Sequence, residues 1–312
     1  MTSPFEPTRA PGGRLTRLGV VFDASTEPAR MTALARMSER AGIDAIWIAE
    51  SIETPADGPA SDALELSLAI AADLGRARLG VLVDPRRRLP ADLVAAVADL
   101  SERTAARVEV SILASEVTAA YSAALVVAFA ALGGPRITIS ALVERPDDLA
   151  DFVEAIDDVV LAGWSHADLE RAAAVIRTAS GLAGRDPATL GIAALIPVSI
   201  GRTGAEASAR ADHDPVFARF GHPAEIGVYG TLEECQDQVI ALAHAGVSDL
   251  RCILPAAPDV HDVIAQLTAM VVGTTDVLRP GSVRSPAPPP PAGWGGRGPK
   301  SHPSVSDDST RR

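Results

Sequence analysis

The sequence predicts an α/β protein closed into an eightfold (β/α)8 TIM barrel. Three observations carry this reading. Apolar runs of strand length alternate with amphipathic runs of helix length eight times between about Arg14 and Pro280, an alternation that signals βαβ units and a parallel sheet. That stretch has roughly the 250 residues usual for such a barrel. The competing architecture, a doubly wound open sheet, ordinarily carries a Gly-rich fingerprint after its first strand, whereas here Phe22-Asp23-Ala24-Ser25 has no glycine. Periodicity alone does not show that the first strand meets the last.

The elements follow in order. Leu18 to Asp23 is an apolar run ending on a carboxylate, Pro28 to Gly42 reads as a helix, and Asp44 to Glu50 is a second apolar run ending on an acid. Ser61-Asp62 is a capping signal for a helix from Ala63 to Leu74, and Gly75 is its stop. The third strand, Arg78 to Asp84, also ends on an aspartate, and Ala91 to Glu102 has Leu93, Val97 and Leu100 as a buried stripe. Arg107 to Leu113 is strand four, followed by an apolar helix from Ser115 to Leu132. Strand five is Arg136 to Leu142, with a short helix from Pro146 to Ile156 after it. Strand six, Asp158 to Ala162, precedes a helix from His166 to Leu182; strand seven is Leu190 to Ile200. Thr203 to Gly221 begins as a helix and becomes irregular around His213-Asp214-Pro215. Thr231 to Ala245 is amphipathic and stopped by Gly246, and strand eight, Leu250 to Pro255, leads into a last helix from Val260 to Val277.

Residues 14–280 therefore form one barrel domain. Residues 1–13 hold three prolines and no apolar signal-peptide core, and are expected to be a flexible N-terminus. Residues 281–312 are rich in Pro, Gly and Ser, include Pro288 to Pro291, and are expected to be a disordered tail. The formal charge of −12 argues against a nucleic-acid or anionic-membrane surface as main partner. Ala119 to Leu132, the most membrane-like stretch, is shorter than the roughly 20 apolar residues of a spanning helix. Two cysteines, Cys235 and Cys252, do not make a secreted disulfide scaffold, and a reducing cytoplasm is the expected compartment.

Function collects at the C-terminal ends of barrel strands, where Asp23, Glu50 and Asp84 are placed. Three carboxylates at one end without a cation would repel one another and raise at least one pKa. Arg86-Arg87-Arg88 supplies local cations, suited either to phosphate or carboxylate ligands or to neutralising those acids. His166, beside Trp164 and Ser165 after strand six, is a candidate proton donor, with a capping or surface histidine as the plainer reading. No histidine pair has metal-site spacing, and no G-x-S-x-G or P-loop motif occurs.

Ala41 to Glu50, Ala71-Ala72, Arg78 to Val83, Ala183 to Pro187, Pro197 to Gly201 and Gly230 to Glu234 occur in the order and spacing of the luciferase-like monooxygenase family, which this chain resembles over roughly residues 17–275. The resemblance implies a barrel oxidoreductase that moves a hydride between coenzyme F420, or reduced flavin mononucleotide (FMN), and a small organic substrate. Together with the strand-end positions above, it makes Glu50 and His166 the candidate catalytic residues and Asp23, Ser51, Val83, Asp84 and Arg86 the candidates at the cofactor, with Ser51 and Val83 carried over from the resemblance and Val83 through position alone. Three departures stand beside it. Ser51 holds the place of the family's histidine, Ala106 to Leu113 and Ser140 to Pro146 lack the family's glycines, and the region after strand four is shortened. A glycine-free turn offers no comparable backbone N–H nest to an anion. A degenerate barrel of the same family, binding a partner and no cofactor, is the alternative. Barrels of the family often pair, so a homodimer is left open.

Overall fold

The computed structural model describes residues 15–50, 62–104, 107–113, 118–131, 137–143, 153, 156–256 and 260–277. The expected flexible N-terminus, the Pro-rich tail and the short helix from Pro146, apart from Val153 and Ile156, lie outside the described residues.

Eight parallel strands close into a barrel. They are β1 (Arg17–Asp23), β2 (Ala45–Ala49), β3 (Arg78–Val83), β4 (Val108–Leu113), β5 (Thr138–Val143), β6 (Asp158–Ala162), β7 (Gly191–Gly201) and, last in the chain, β9 (Asp249–Ile253). Each pairs in parallel with its neighbour, β6 with β7, β7 with β9, and β9 with β1, so no edge is left open. One strand was not foreseen. β8 (Val228–Thr231) pairs only with the outer half of β7, at Val198 to Gly201, where β7 runs on past the barrel. Four residues containing a glycine and a threonine give no apolar run, which is why periodicity missed it.

The helices on the outside are α1 (Pro28–Arg40), α2 (Ala63–Ala71), α3 (Pro90–Arg103), α4 (Thr118–Ala131) and α5 (His166–Leu182), then α6 (Gly204–Ala211), α7 (Pro215–Phe220) and α8 (Pro223–Ile226), and finally α9 (Leu232–Ala245) and α10 (Val260–Val277). The irregular stretch expected after strand seven is the succession α6, α7 and α8. Local chemistry fixes the ends. Asp62, Ser165 and Asp214 cap α2, α5 and α7 with their side chains, and Thr231 with Glu234 makes a reciprocal capping box on α9. Gly246, at φ 103°, ends α9 in the left-handed region that favours glycine. Among the described residues no helix is long and apolar enough to cross a membrane.

Successive strand residues face opposite sides. Leu18, Val20 and Phe22, Ile46 and Ile48, and Leu79, Val81 and Val83 belong to the large core between sheet and helices. The alternate positions fill the barrel in three layers. At the N-terminal end, Arg17 bonds Glu109 at 2.7 Å and Asp158 at 3.1 Å and approaches Asp249 at 3.2 Å, while Arg78 bonds Glu109 at 2.9 Å. Burial opposes the charge of Arg17, but Asp249, Glu109 and Asp158 outweigh it and hold its pKa above the ordinary value.

In the middle layer Trp47 lies across the barrel. A Cβ on Gly80 would come within 2.3 Å of its ring and one on Gly19 within 3.0 Å, so these two glycines make the room for the indole. The Arg251 guanidinium stacks 3.6 Å from the Trp47 ring centre and reaches Ser140 Oγ at 3.3 Å. Arg251 is 2% exposed. Burial draws its pKa down, and Asp249, Glu109 and Asp158 work against that pull. Above the indole comes a layer that includes Ala49, Leu82, Leu142, Val160, Leu195 and Ile253. A void of about 10 Å³ under Leu82, Leu142, Val160 and Leu195, bordered also by Trp47, Ser111 and Arg251, has room for about one water.

Candidate active site

The C-terminal end of the barrel is where the strands deliver the acids expected from the sequence. Asp23 ends β1 and accepts a 2.7 Å hydrogen bond from the Ser25 N–H, closing a local turn. Asp84 follows β3. Its two oxygens take a fork from Arg86, with Nε at 2.9 Å and Nη2 at 2.8 Å, and Arg87 approaches at 3.7 Å. Burial acts to raise the Asp84 pKa, but the bonds from Arg86 and the charges of Arg86 and Arg87 hold it below the usual aspartate value.

Glu50, the acid expected to be catalytic, is enclosed. Only 5% of it is exposed, and both carboxylate oxygens are engaged. Oε2 accepts from the Asp84 N–H at 2.9 Å; Oε1 accepts from Arg88 Nε at 2.9 Å and Nη2 at 2.7 Å. The same Nη2 lies 2.7 Å from Asp62 Oδ1, the cap of α2. Arg88 thus braces the end of β2 against the start of α2. Burial opposes its charge, and Glu50 and Asp62 keep its pKa above the ordinary value. Strand alternation explains the arrangement: Trp47 and Ala49 face the barrel interior, which puts Glu50 on the helix side. Asp23 and Glu50 share one end of the barrel but not one side of the sheet.

Val83 is also on the helix side, buried in the core between sheet and helices, so its side chain offers nothing to the barrel mouth. Ser51 lies outside the described residues. His166 begins α5, and its Nε2 sits 2.8 Å from the Gly227 carbonyl oxygen. A carbonyl only accepts, so Nε2 carries a proton and donates it to Gly227.

Three residues escaped sequence reasoning in their roles. Arg88 was one of a run of three arginines, and nothing in the run says which acid each will meet. Tyr121 on α4 is buried, its hydroxyl has no hydrogen-bond partner among the described residues, and it senses the charges of Arg88 and Glu50. Asp214 caps α7 through Val216 N–H at 2.9 Å and accepts the Ala256 N–H at 2.8 Å, tying α7 to the end of β9. Val216 then packs on the aliphatic layer. Asp before Pro at a helix start was the available signal for this cap.

No family model matches the chain, and no curated protein matches its sequence. Solved structures do match in fold. An F420-dependent secondary alcohol dehydrogenase in complex with an F420–acetone adduct superposes with a TM-score of 0.68 at 15% identity, covering 83% of this chain and 99% of its own. The coenzyme F420-dependent tetrahydromethanopterin reductase from Methanopyrus kandleri gives 0.65 at 14%, with the same coverages. The oxygenating constituent of 3,6-diketocamphane monooxygenase from Pseudomonas putida, a type II Baeyer–Villiger monooxygenase in complex with FMN, gives 0.63 at 15%, covering 85% of this chain and 98% of its own. The eightfold barrel expected from the sequence is the fold this chain adopts and shares with these structures.

Proposed function

We propose that this chain is a luciferase-like oxidoreductase that holds coenzyme F420, or FMN, at the C-terminal end of its barrel, where the bound ring exchanges a hydride with a small organic substrate. The observation that carries the reading is the aliphatic layer of Leu82, Leu142, Leu195 and Ile253, set at the end where barrel enzymes work. Such a layer suits the face of a flat heteroaromatic ring and keeps water from beneath it. Likeness to barrels that bind F420 and FMN supports the same choice.

The chain's own residues divide the work. Arg86, mostly exposed and paired with Asp84, suits a cofactor phosphate, with Asp84 fixing the guanidinium plane. Asp23, on the inward side of β1, suits a polar edge of the ring or a substrate hydroxyl. His166, with Nε2–H committed to Gly227, holds or takes up a proton at Nδ1. Glu50 acts through Arg88 as a positioning residue.

One observation favours the second reading, a barrel that binds a partner without catalysis: the acid that the resemblance makes catalytic has both oxygens engaged by its own chain. Titration of the purified protein with F420 and with FMN, followed by fluorescence, separates the two. Saturable binding of either, weakened by Arg86→Ala, is the expected result. No saturable binding of both overturns the enzyme reading.

A further inference from the structure

The N-terminal end of the barrel, opposite the candidate active site, holds an open cavity of about 300 Å³, lined by Arg17, Arg76 and Arg78 together with Asp44 and the backbone around Gly42 and Ala77. These residues come from the starts of adjacent strands: Arg17 opens β1, Asp44 precedes β2, and Arg76 and Ala77 precede Arg78, which opens β3. The walls are tied together before any ligand arrives. Asp44 Oδ2 accepts the Leu18 N–H at 2.9 Å, and the Asp44 carbonyl accepts the Arg78 N–H at 2.9 Å. Glu39, near the end of α1, accepts from the N–H groups of Gly75 at 3.1 Å and Ala77 at 2.7 Å, and from that of Arg76 as well. Gly42, at φ 92°, makes the left-handed turn that carries α1 into β2.

The lining sets three guanidinium groups against one carboxylate, in a chain whose formal charge is −12. Arg17 has both Nη atoms committed to Glu109, Asp158 and Asp249. The other two are less occupied. Among the described residues the Arg78 side chain, 40% exposed, makes one bond, from Nη1 to Glu109; that of Arg76 makes one, from Nη2 to the Glu39 carbonyl oxygen at 2.9 Å. A guanidinium carries five N–H donors in a planar fork, so both keep several for a ligand. Glu109, Asp158 and Asp249 offset part of the charge, but they are buried and do not line the cavity. An arriving ligand meets guanidinium N–H groups first.

We infer that this cavity binds a phosphate group, either as inorganic phosphate or as the monoester of a small organic molecule. Two arginine forks suit a tetrahedral oxyanion carrying about −1.5 to −2 at pH 7. A cation is repelled, and an apolar ligand would strip water from the arginines without replacing its hydrogen bonds. The size is at the lower end of the about 300–1,000 Å³ of small-molecule sites. The ionic plug, the Trp47–Arg251 stack and the aliphatic layer stand between this cavity and the proposed cofactor site, so the two bind independently.

Equilibrium dialysis of the full chain in phosphate-free buffer, with radiolabelled inorganic phosphate and with labelled glycerol phosphate, tests this. The expected result is saturable binding of one ligand per chain with a dissociation constant of about 1 mM or below. Tighter binding of the ester places an organic body in the rest of the cavity; tighter binding of inorganic phosphate makes the free ion the ligand. Arg76→Ala, at an exposed position, should weaken binding at least about tenfold. Asp44→Asn keeps an acceptor for the Leu18 N–H and removes the one acid of the lining, so it should tighten binding by about two- to tenfold. Arg171→Ala, at an exposed site on α5, should leave the affinity unchanged. No saturable binding of either compound, parental affinity in Arg76→Ala, failure of Asp44→Asn to tighten binding, or an equal loss in Arg171→Ala would each overturn the proposal.

Discussion

Replacing Arg88 with Ala removes the one guanidinium that the described residues set on the Glu50 carboxylate. Glu50 is 5% exposed and, among the described residues, would keep the Asp84 N–H alone. Breaking a buried ion pair from one side costs about 3–5 kcal/mol, because the remaining charge is left without compensation. Arg88 is itself partly exposed, so water entering the vacated space puts the expectation at the lower end, about 3 kcal/mol. At about 2–4 °C per kcal/mol for a chain of this size, Tm should fall by about 6–12 °C. Glu50→Gln retains the amide contact and leaves Arg88 to Asp62, so its cost should be smaller, about 1–2 kcal/mol. The paired change Arg88→Met with Glu50→Leu should recover most of the loss, since it removes both charges together. Urea unfolding of the four proteins, read by tryptophan fluorescence, gives each number. If Arg88→Ala and Glu50→Gln both unfold within about 0.5 kcal/mol of the parent while F420 or FMN affinity drops, Glu50 faces a ligand and the bracing role assigned to it is wrong.

Gly80→Ala should destabilise by about 1–3 kcal/mol or more, because its Cβ would meet the buried Trp47 ring at 2.3 Å; Gly19→Ala, at 3.0 Å, should cost clearly less, and equal costs in chemical unfolding would contradict the packing described. Burial, opposed by the charge of Arg88, pushes the Tyr121 hydroxyl up from 10.0 to about 12. The fold favours the neutral phenol, so that contribution to stability is intact below pH 10, fades as pH rises and is gone above about 12. Tyr121→Phe should flatten this alkaline decline in pH-dependent melts and, by deleting a hydroxyl that has no hydrogen-bond partner among the described residues, leave neutral-pH stability unchanged or up by as much as about 1 kcal/mol. Burial also pushes the Cys235 thiol up to about 12 and that of Cys252 higher still, so a disulfide reagent should label neither in the native protein and both in denaturant; rapid native labelling would place a thiol at the surface.

The barrel was legible because a strand buried on both faces reads as a continuous apolar run, and Leu18 to Phe22, Ile46 to Ala49 and Leu79 to Val83 are such runs. What fills the barrel was not read. Trp47, Ser140 and Arg251 meet across more than 200 residues of chain, and no local pattern announces such a contact. A weaker signal was present: Arg17, Arg78, Asp158 and Asp249 each open a strand, and Glu109 is second in its own. Charged residues at strand starts, all on the inward side, mark an ionic plug whose three arginines, counting Arg251, balance three acids. Alternation also had more to say about the site than the strand ends did. Counting inward from Trp47 assigns Glu50 to the helix side; counting from Arg17 assigns Asp23 to the barrel side.

That count reassigns the most family-like stretch of the chain. Within Asp44 to Glu50, Ile46 and Ile48 pack on the helices, Trp47 fills the barrel between Gly19 and Gly80, and Glu50 binds Arg88. Each of these is a wall or brace position, so substitutions there should act through stability before they act on any ligand. The proposed chemistry then rests on Asp23 and the Asp84–Arg86 pair, which strand alternation sets on the inward side of the mouth, and on His166 at the start of α5. The ionic plug and the Trp47–Arg251 stack occupy the lower and middle barrel, which leaves no room within it for a ring of flavin size, and the proposed reading puts such a ring above the aliphatic layer. Leu195 lies in that layer, and its β7 backbone is held by pairing on both sides. Leu195→Ala should therefore leave the frame standing, at a cost of about 2–5 kcal/mol, while a ring resting on the layer would lose part of its support. Cofactor affinity unchanged in Leu195→Ala and lost in Glu50→Gln would reverse this assignment, returning the site to the end of β2.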